Sequence, residues 1–121
     1  MMELEKNKNI TFDVLNKDNL TASVCVKDGT VSIKRYTDNP VIQPFGKAKP
    51  ETVAVINDFL ESRCFDSNRA DKKELLKELG LRYYDPLSII KKTHGRIWDD
   101  FTWIRFPGED IAWKDVANGR L

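Results

Sequence analysis

A chain with one histidine, two cysteines and no long apolar run has few chemistries open to it. His94 is the single imidazole, so any acid or base work at neutral pH would have to pass through it. No His/Cys cluster has zinc spacing, no glycine-rich phosphate loop is present, and no Gly-x-Ser-x-Gly elbow occurs. Cys25 and Cys64 are too few for a disulfide scaffold. Cys25 falls in an alternating strand pattern and Cys64 ends a helical one, so both are read as reduced thiols. A dominant charge is missing as well: twenty basic side chains against nineteen acidic ones leave +1, and no whole-molecule field steers the chain toward nucleic acid. The N-terminal MMELEKNKNI leads into no apolar h-region, and no segment has the length to cross a bilayer. The expectation is a cytoplasmic protein with no membrane partner.

What is present is a soluble globular balance of 40% hydrophobic and 32% charged residues in 121 residues, the size of one domain with one core. The first third alternates with period two through Ile10, Phe12 and Val14, then Leu20, Ala22, Val24 and Val26, then Val31 and Ile33. Asn16–Asn19 and Lys27-Asp28-Gly29-Thr30 interrupt it, and Asp-Gly between alternating runs is a strong hairpin signal. Residues 10 to 36 are therefore expected to form a three-stranded antiparallel meander. One face of a lone meander must be covered by a later helix.

Breakers at Asp38-Asn39-Pro40 and Pro44-Phe45-Gly46 make the next segment a crossing loop or a short edge strand. Pro50 suits a first helical turn, and Val53, Ile56, Phe59 and Leu60 recur at helical spacing up to Arg63, the best candidate cover for the sheet. A second helix is capped by Ser67, Asn68 or Asp71, with Asp71-Lys72-Lys73-Glu74 as a capping box, buries Leu75, Leu76 and Leu79, and stops at Gly80. Asp85-Pro86 opens a third, running through Leu87, Ile89 and Ile90 toward Gly95. Phe101–Phe106 is aromatic and β-prone, stopped by Pro107-Gly108. The fold class is α+β, in one domain: the meander packed on three short helices, with a late C-terminal strand.

Three groupings deserve weighing for function. Cys64 beside Arg63 has the neighbour of an activated thiol, but with His94 the sole base a half-buried, inert thiol is the better reading. Asp99, Asp100, Glu109 and Asp110 form the one acidic concentration, and their spacing matches no metal loop, so solvated charges or partners for basic residues are preferred. Basic residues concentrate on the helical half, and two short helices joined by Gly80 to Tyr84 have the outline of a helix-turn-helix. Lys72, Lys73, Lys91 and Lys92 would then hold phosphate. Glu74 and Glu78 among the lysines favour an ordinary wet helical face instead.

From Phe59 to Phe106, about 40% of the chain, the order Phe59-Leu60-x-x-Arg63, Asn68-Arg69, Leu75-Leu76-x-x-Leu79-Gly80-Leu81, Ile89 through Gly95 and Asp100-x-x-Trp103-Ile104 resembles a small region of HipA-like proteins. The region is their N-terminal part in Firmicutes, and it also resembles stand-alone proteins of mobile elements. HipA-type proteins are kinases of toxin–antitoxin systems. The kinase's ATP-binding lysine, catalytic aspartate and magnesium aspartate have no counterpart here, so the resemblance implies an accessory domain acting without the kinase.

The leading expectation is accordingly a non-enzymatic protein-binding module of a phage or other mobile element that modulates a host or neighbouring protein. A defence-system inhibitor such as an anti-CRISPR fits that size and setting. The runner-up is a small DNA-binding regulator using the basic helical half. The expected partner surface is Tyr83, Tyr84, Arg96, Trp98, Asp99 and Asp100, because aromatic and charged groups sit there at the ends of a helix whose core needs are met by Leu87, Ile89 and Ile90. No cofactor, catalytic group or metal is expected.

Overall fold

The computed structural model describes residues 9–46, 50–97 and 100–117. The alternating first third forms β1 (Ile10–Asn16), β2 (Asn19–Lys27) and β3 (Thr30–Arg35), paired antiparallel in sequence. Asp28 and Gly29 both take positive φ, 51° and 80°, which gives the hairpin turn whose twist matches its strands. The late strand is shorter than its aromatic run, Thr102–Arg105, and as β4 it closes part of the free edge of β1 to give the order β3-β2-β1-β4.

Period two puts Ile10, Phe12, Val14, Ala22, Val24, Val26, Val31 and Ile33 on one face, all buried. Helix α1 (Val53–Ser62) covers that face with Ile56 and Leu60, both fully buried, and with half-buried Phe59. Phe59 packs against Phe12 and Phe45 at ring distances of 6.2 and 4.9 Å. The helix starts later than Pro50 suggests: Thr52 is the cap because its hydroxyl accepts the Val55 N–H at 3.3 Å, leaving Pro50 outside the first turn. The preceding segment is a crossing loop. Buried Gln43 fastens it to the sheet by donating its amide to the Thr21 and Thr37 carbonyls at 3.0 and 2.9 Å.

Helix α2 (Lys72–Glu78) lacks the expected capping box. Asp71 occupies the cap position, but its carboxylate turns to Arg69 at 2.7 Å and makes no cap hydrogen bond. Its other end behaves as Gly80 foretells: with φ 73° that residue allows Leu81 N–H to reach Leu76 O at 2.8 Å and its own N–H to reach Lys77 O at 3.0 Å. Leu75 and Leu76 then pack on Phe65 and on Ile89 of α3 (Pro86–Thr93), which Asp85 caps through the Ser88 N–H.

A fourth helix is absent from the sequence reading. Helix α4 (Trp113–Val116) lies on the other face of the sheet, where Val116 completes a small cluster with Leu15 and Trp103. Consecutive Val14 and Leu15 are thus both buried, on opposite sides of one strand. Elsewhere on that face Thr11, Cys25, Ser32 and Lys34 are exposed, while Asp13 and Ser23 are half-buried.

Candidate functional site: a clamped aromatic corner

Arg63 ends α1 and turns inward, with a side chain only 7% exposed. Its guanidinium donates to Gly95 O at 2.9 Å, to Asp100 Oδ2 and Oδ1 at 2.8 and 2.9 Å, and to Thr102 O at 2.9 Å. This fork-on-fork geometry is the strong form of an ion pair. Burial by itself would raise the Asp100 carboxyl, but the Arg63 hydrogen bonds and charge, the Thr102 amide and the Arg96 charge outweigh it and hold the group below its usual range. Arg69, the other arginine of the resemblance, pairs with Asp71 at the exposed surface instead.

Arg96 pins a second segment. Its guanidinium donates to the carbonyls of Asp100, Val116 and Ala117 at 2.6, 3.3 and 3.3 Å and lies 4.6 Å from the Trp113 ring centroid. The two arginines therefore tie Gly95, Asp100 and Thr102 to the end of α1 and tie Asp100 to Val116 and Ala117 at the end of α4.

Phe101 projects from this frame. Its carbonyl accepts the Lys17 N–H at 3.0 Å, and the Lys17 carbonyl in turn accepts the Trp103 indole N–H at 2.6 Å. The Phe101 ring meets Trp113 edge-on at 5.9 Å, and the Lys17 ammonium sits 4.6 Å from its centroid. Asp18 fixes α4 by accepting the Trp113 N–H at 3.1 Å. Despite these neighbours Phe101 is 51% exposed.

The expected partner residues separate accordingly. Tyr83 is on the surface, 77% exposed. Tyr84 is not free for a partner: its ring packs edge-on to Phe65 at 5.3 Å and its hydroxyl donates to Phe65 O. Arg96, 3% exposed, is a structural pin because its donors are spent on backbone carbonyls. Asp100 belongs to the same frame through Arg63. Trp98 and Asp99 lie outside the described residues. The sequence reading missed Phe101 and Trp113 as a surface pair. The available signal was that Phe101 shares the face of Trp103 while lying one residue beyond the strand end.

The remaining groupings resolve in the same way. Burial first, then the charges of Asp85 and Glu61, push the Cys64 thiol up to about 12 against the opposing pull of Arg63, which disfavours a thiolate nucleophile. His94 caps α3 in the left-handed conformation and faces Glu109 Oε2 at 2.9 Å, while Glu109 Oε1 accepts the Phe106 N–H at 2.7 Å. Among the described residues no three metal-ligating side chains come together. Lys73, Lys91 and Lys92 are exposed and Lys72 is half-buried.

No family model matches this chain, and no curated protein or solved structure matches it.

Proposed function

We propose that this chain is a non-enzymatic protein-binding module that modulates a host or neighbouring protein by occupying its surface through the corner formed by Phe101, Trp113 and Lys17. A mobile-element origin agrees with the HipA-like resemblance of residues 59–106. The observation that carries the reading is the half-exposed Phe101 ring on a frame locked by two buried arginines. A large rigid side chain already ordered before binding loses little entropy on docking, and such residues dominate interface energetics. Tyr83 is a second exposed aromatic on the same half of the chain.

The DNA-binding alternative draws on one observation: among the described residues no lysine is in an ion pair. A photo-crosslinking phenylalanine analogue at position 101, compared with one at exposed Ser32, separates the two. The expected result in host extract is one protein adduct from position 101 and none from 32. A mobility shift with duplex DNA at physiological salt, abolished by neutralising Lys72, Lys73, Lys91 and Lys92, would replace the proposal with the alternative.

A further inference from the structure

β4 pairs with Asp13 to Asn16, and among the described residues no strand lies beside the first residues of β1 on that side. The phase of the ladder is set by the Tyr36 N–H, which donates to Thr21 O at 2.9 Å. Odd-numbered β2 residues therefore bond to β3 and even-numbered ones to β1. On β1, Ile10, Phe12 and Val14 spend their backbone groups on β2, while Thr11 and Asp13 turn theirs toward β4. Asp13 meets Arg105, and Thr11 meets no strand among the described residues. β4 stops short of it at Arg105, and Pro107, which would stand opposite Thr11, has no N–H to give.

The resulting gap is a notch of about 570 Å³ with Ile10, Phe106 and Pro107 as its apolar walls and Lys91 beside them. Its charges are unequal in availability. Both carboxylate oxygens of Glu109 are engaged, by Phe106 and His94, whereas Lys91 has no ion-pair partner among the described residues.

We propose that this notch receives an extended acidic segment of another protein, which adds a short strand to β1 through the Thr11 backbone and sets a carboxylate against Lys91. The residue bonded to Thr11 directs its side chain to the open sheet face, so its two neighbours point toward the helices. One of those neighbours is apolar, over Ile10 and Phe106; the other is acidic. The recognised pattern is thus an apolar and an acidic residue two positions apart. This site is independent of the aromatic corner.

The test is an amide-resolved NMR titration of the full chain with acetyl-Glu-Thr-Val-Thr-Glu-amide, whose symmetry serves either strand direction, and with the same peptide carrying lysine for glutamate. The expected result is a shift of the Thr11 amide and its slowed solvent exchange with the acidic peptide only. Lys91→Glu, at an exposed position, should weaken the acidic peptide by about ten-fold and admit the basic one. An unmoved Thr11 amide, equal response to both peptides, or unchanged affinity in Lys91→Glu would each overturn the proposal. So would a dimer in sedimentation that protects the Thr11 amide without peptide, since a second copy would then hold the notch.

Discussion

Arg63 and Asp100, 37 positions apart, meet through two parallel hydrogen bonds of 2.8 and 2.9 Å, which fasten the chain just before β4 to the end of α1 at Asp100. Arg63 is nearly enclosed, whereas the Asp100 side chain keeps 37% of its surface in water. Arg63→Ala should therefore cost about 3 kcal/mol and Asp100→Ala about 1 to 2 kcal/mol, with a coupling above about 1 kcal/mol in the double-mutant cycle. Chemical denaturation of the four proteins measures it; additive single effects would mean the pair carries no shared energy.

The same contact sets an acid response. Because the native Asp100 carboxyl titrates below its ordinary 3.8, its contribution is present above that pH and is lost as the pH falls through the lower native value. Asp100→Asn should flatten the stability curve of the protein below about pH 4. Parallel curves for the two proteins would count against this assignment.

An alkaline response has the opposite sign. Cys64 rises from 9.0 to about 12 through burial, then Asp85 and Glu61; Tyr84 rises from 10.0 to about 12 through burial, then Cys64, Asp66 and Glu61. Both groups bind protons more tightly when folded, so their stabilisation is full below pH 9 and declines as the pH climbs toward 12. Tyr84→Phe should weaken the decline above pH 10 while costing about 1 kcal/mol at neutral pH for the lost hydrogen bond to Phe65. Iodoacetamide at neutral pH should label exposed Cys25 long before Cys64. Peptide mass mapping reads the order directly.

Gly95 is the most closely packed of Gly46, Gly80, Gly95 and Gly108. With φ +67°, an added Cβ would stand 3.0 Å from Ile104 Cδ1 and 3.3 Å from Arg63 Cβ. Gly95→Ala combines left-handed strain with a core clash and should cost more than about 2 kcal/mol, whereas Gly80→Ala, with open space around it, carries the strain alone at about 1 to 2 kcal/mol. Thermal melts that rank them the other way would contradict the packing of α1 against β4.

Aromatic packing over the sheet supplies another ranking. Phe12 is fully buried and Phe59 only half so, with Phe59 stacked on Phe12 and tilted against Phe45. Phe12→Ala should cost about 4 to 5 kcal/mol and Phe59→Ala about 3 kcal/mol. A melt in which Phe59→Ala changes almost nothing would detach α1 from the sheet.

The meander, its Asp28-Gly29 turn, the Asp85-Pro86 helix start and the Gly80 stop were legible because each rests on a local rule of period or backbone geometry. The place of β4 was not legible, since pairing with β1 depends on which edge the helices leave uncovered. Four-residue α4 has too few turns to show a period, and its Trp113 is held by Asp18 from the opposite end of the chain. Arg96 and Tyr84 misled for one reason. A charged or hydroxylated side chain at a helix boundary looks committed to solvent until backbone carbonyls of distant residues come within its reach. Phe101 erred the other way, an aromatic with a strand's pattern that the strand leaves half outside.

Closure of β1 by β4 also has a cost in time. The Trp103 indole reaches back 86 residues to the Lys17 carbonyl. During synthesis at about 5–20 residues per second, that separation corresponds to roughly 4–17 s between the appearance of the acceptor and of its donor. The hairpins of the first 35 residues are local and can form within that interval, with the whole β1 edge still open. The nascent chain is thus most prone to wrong pairing after its sheet has begun to form and before β4 emerges, and whatever shields that edge in the cell acts on a partly made protein.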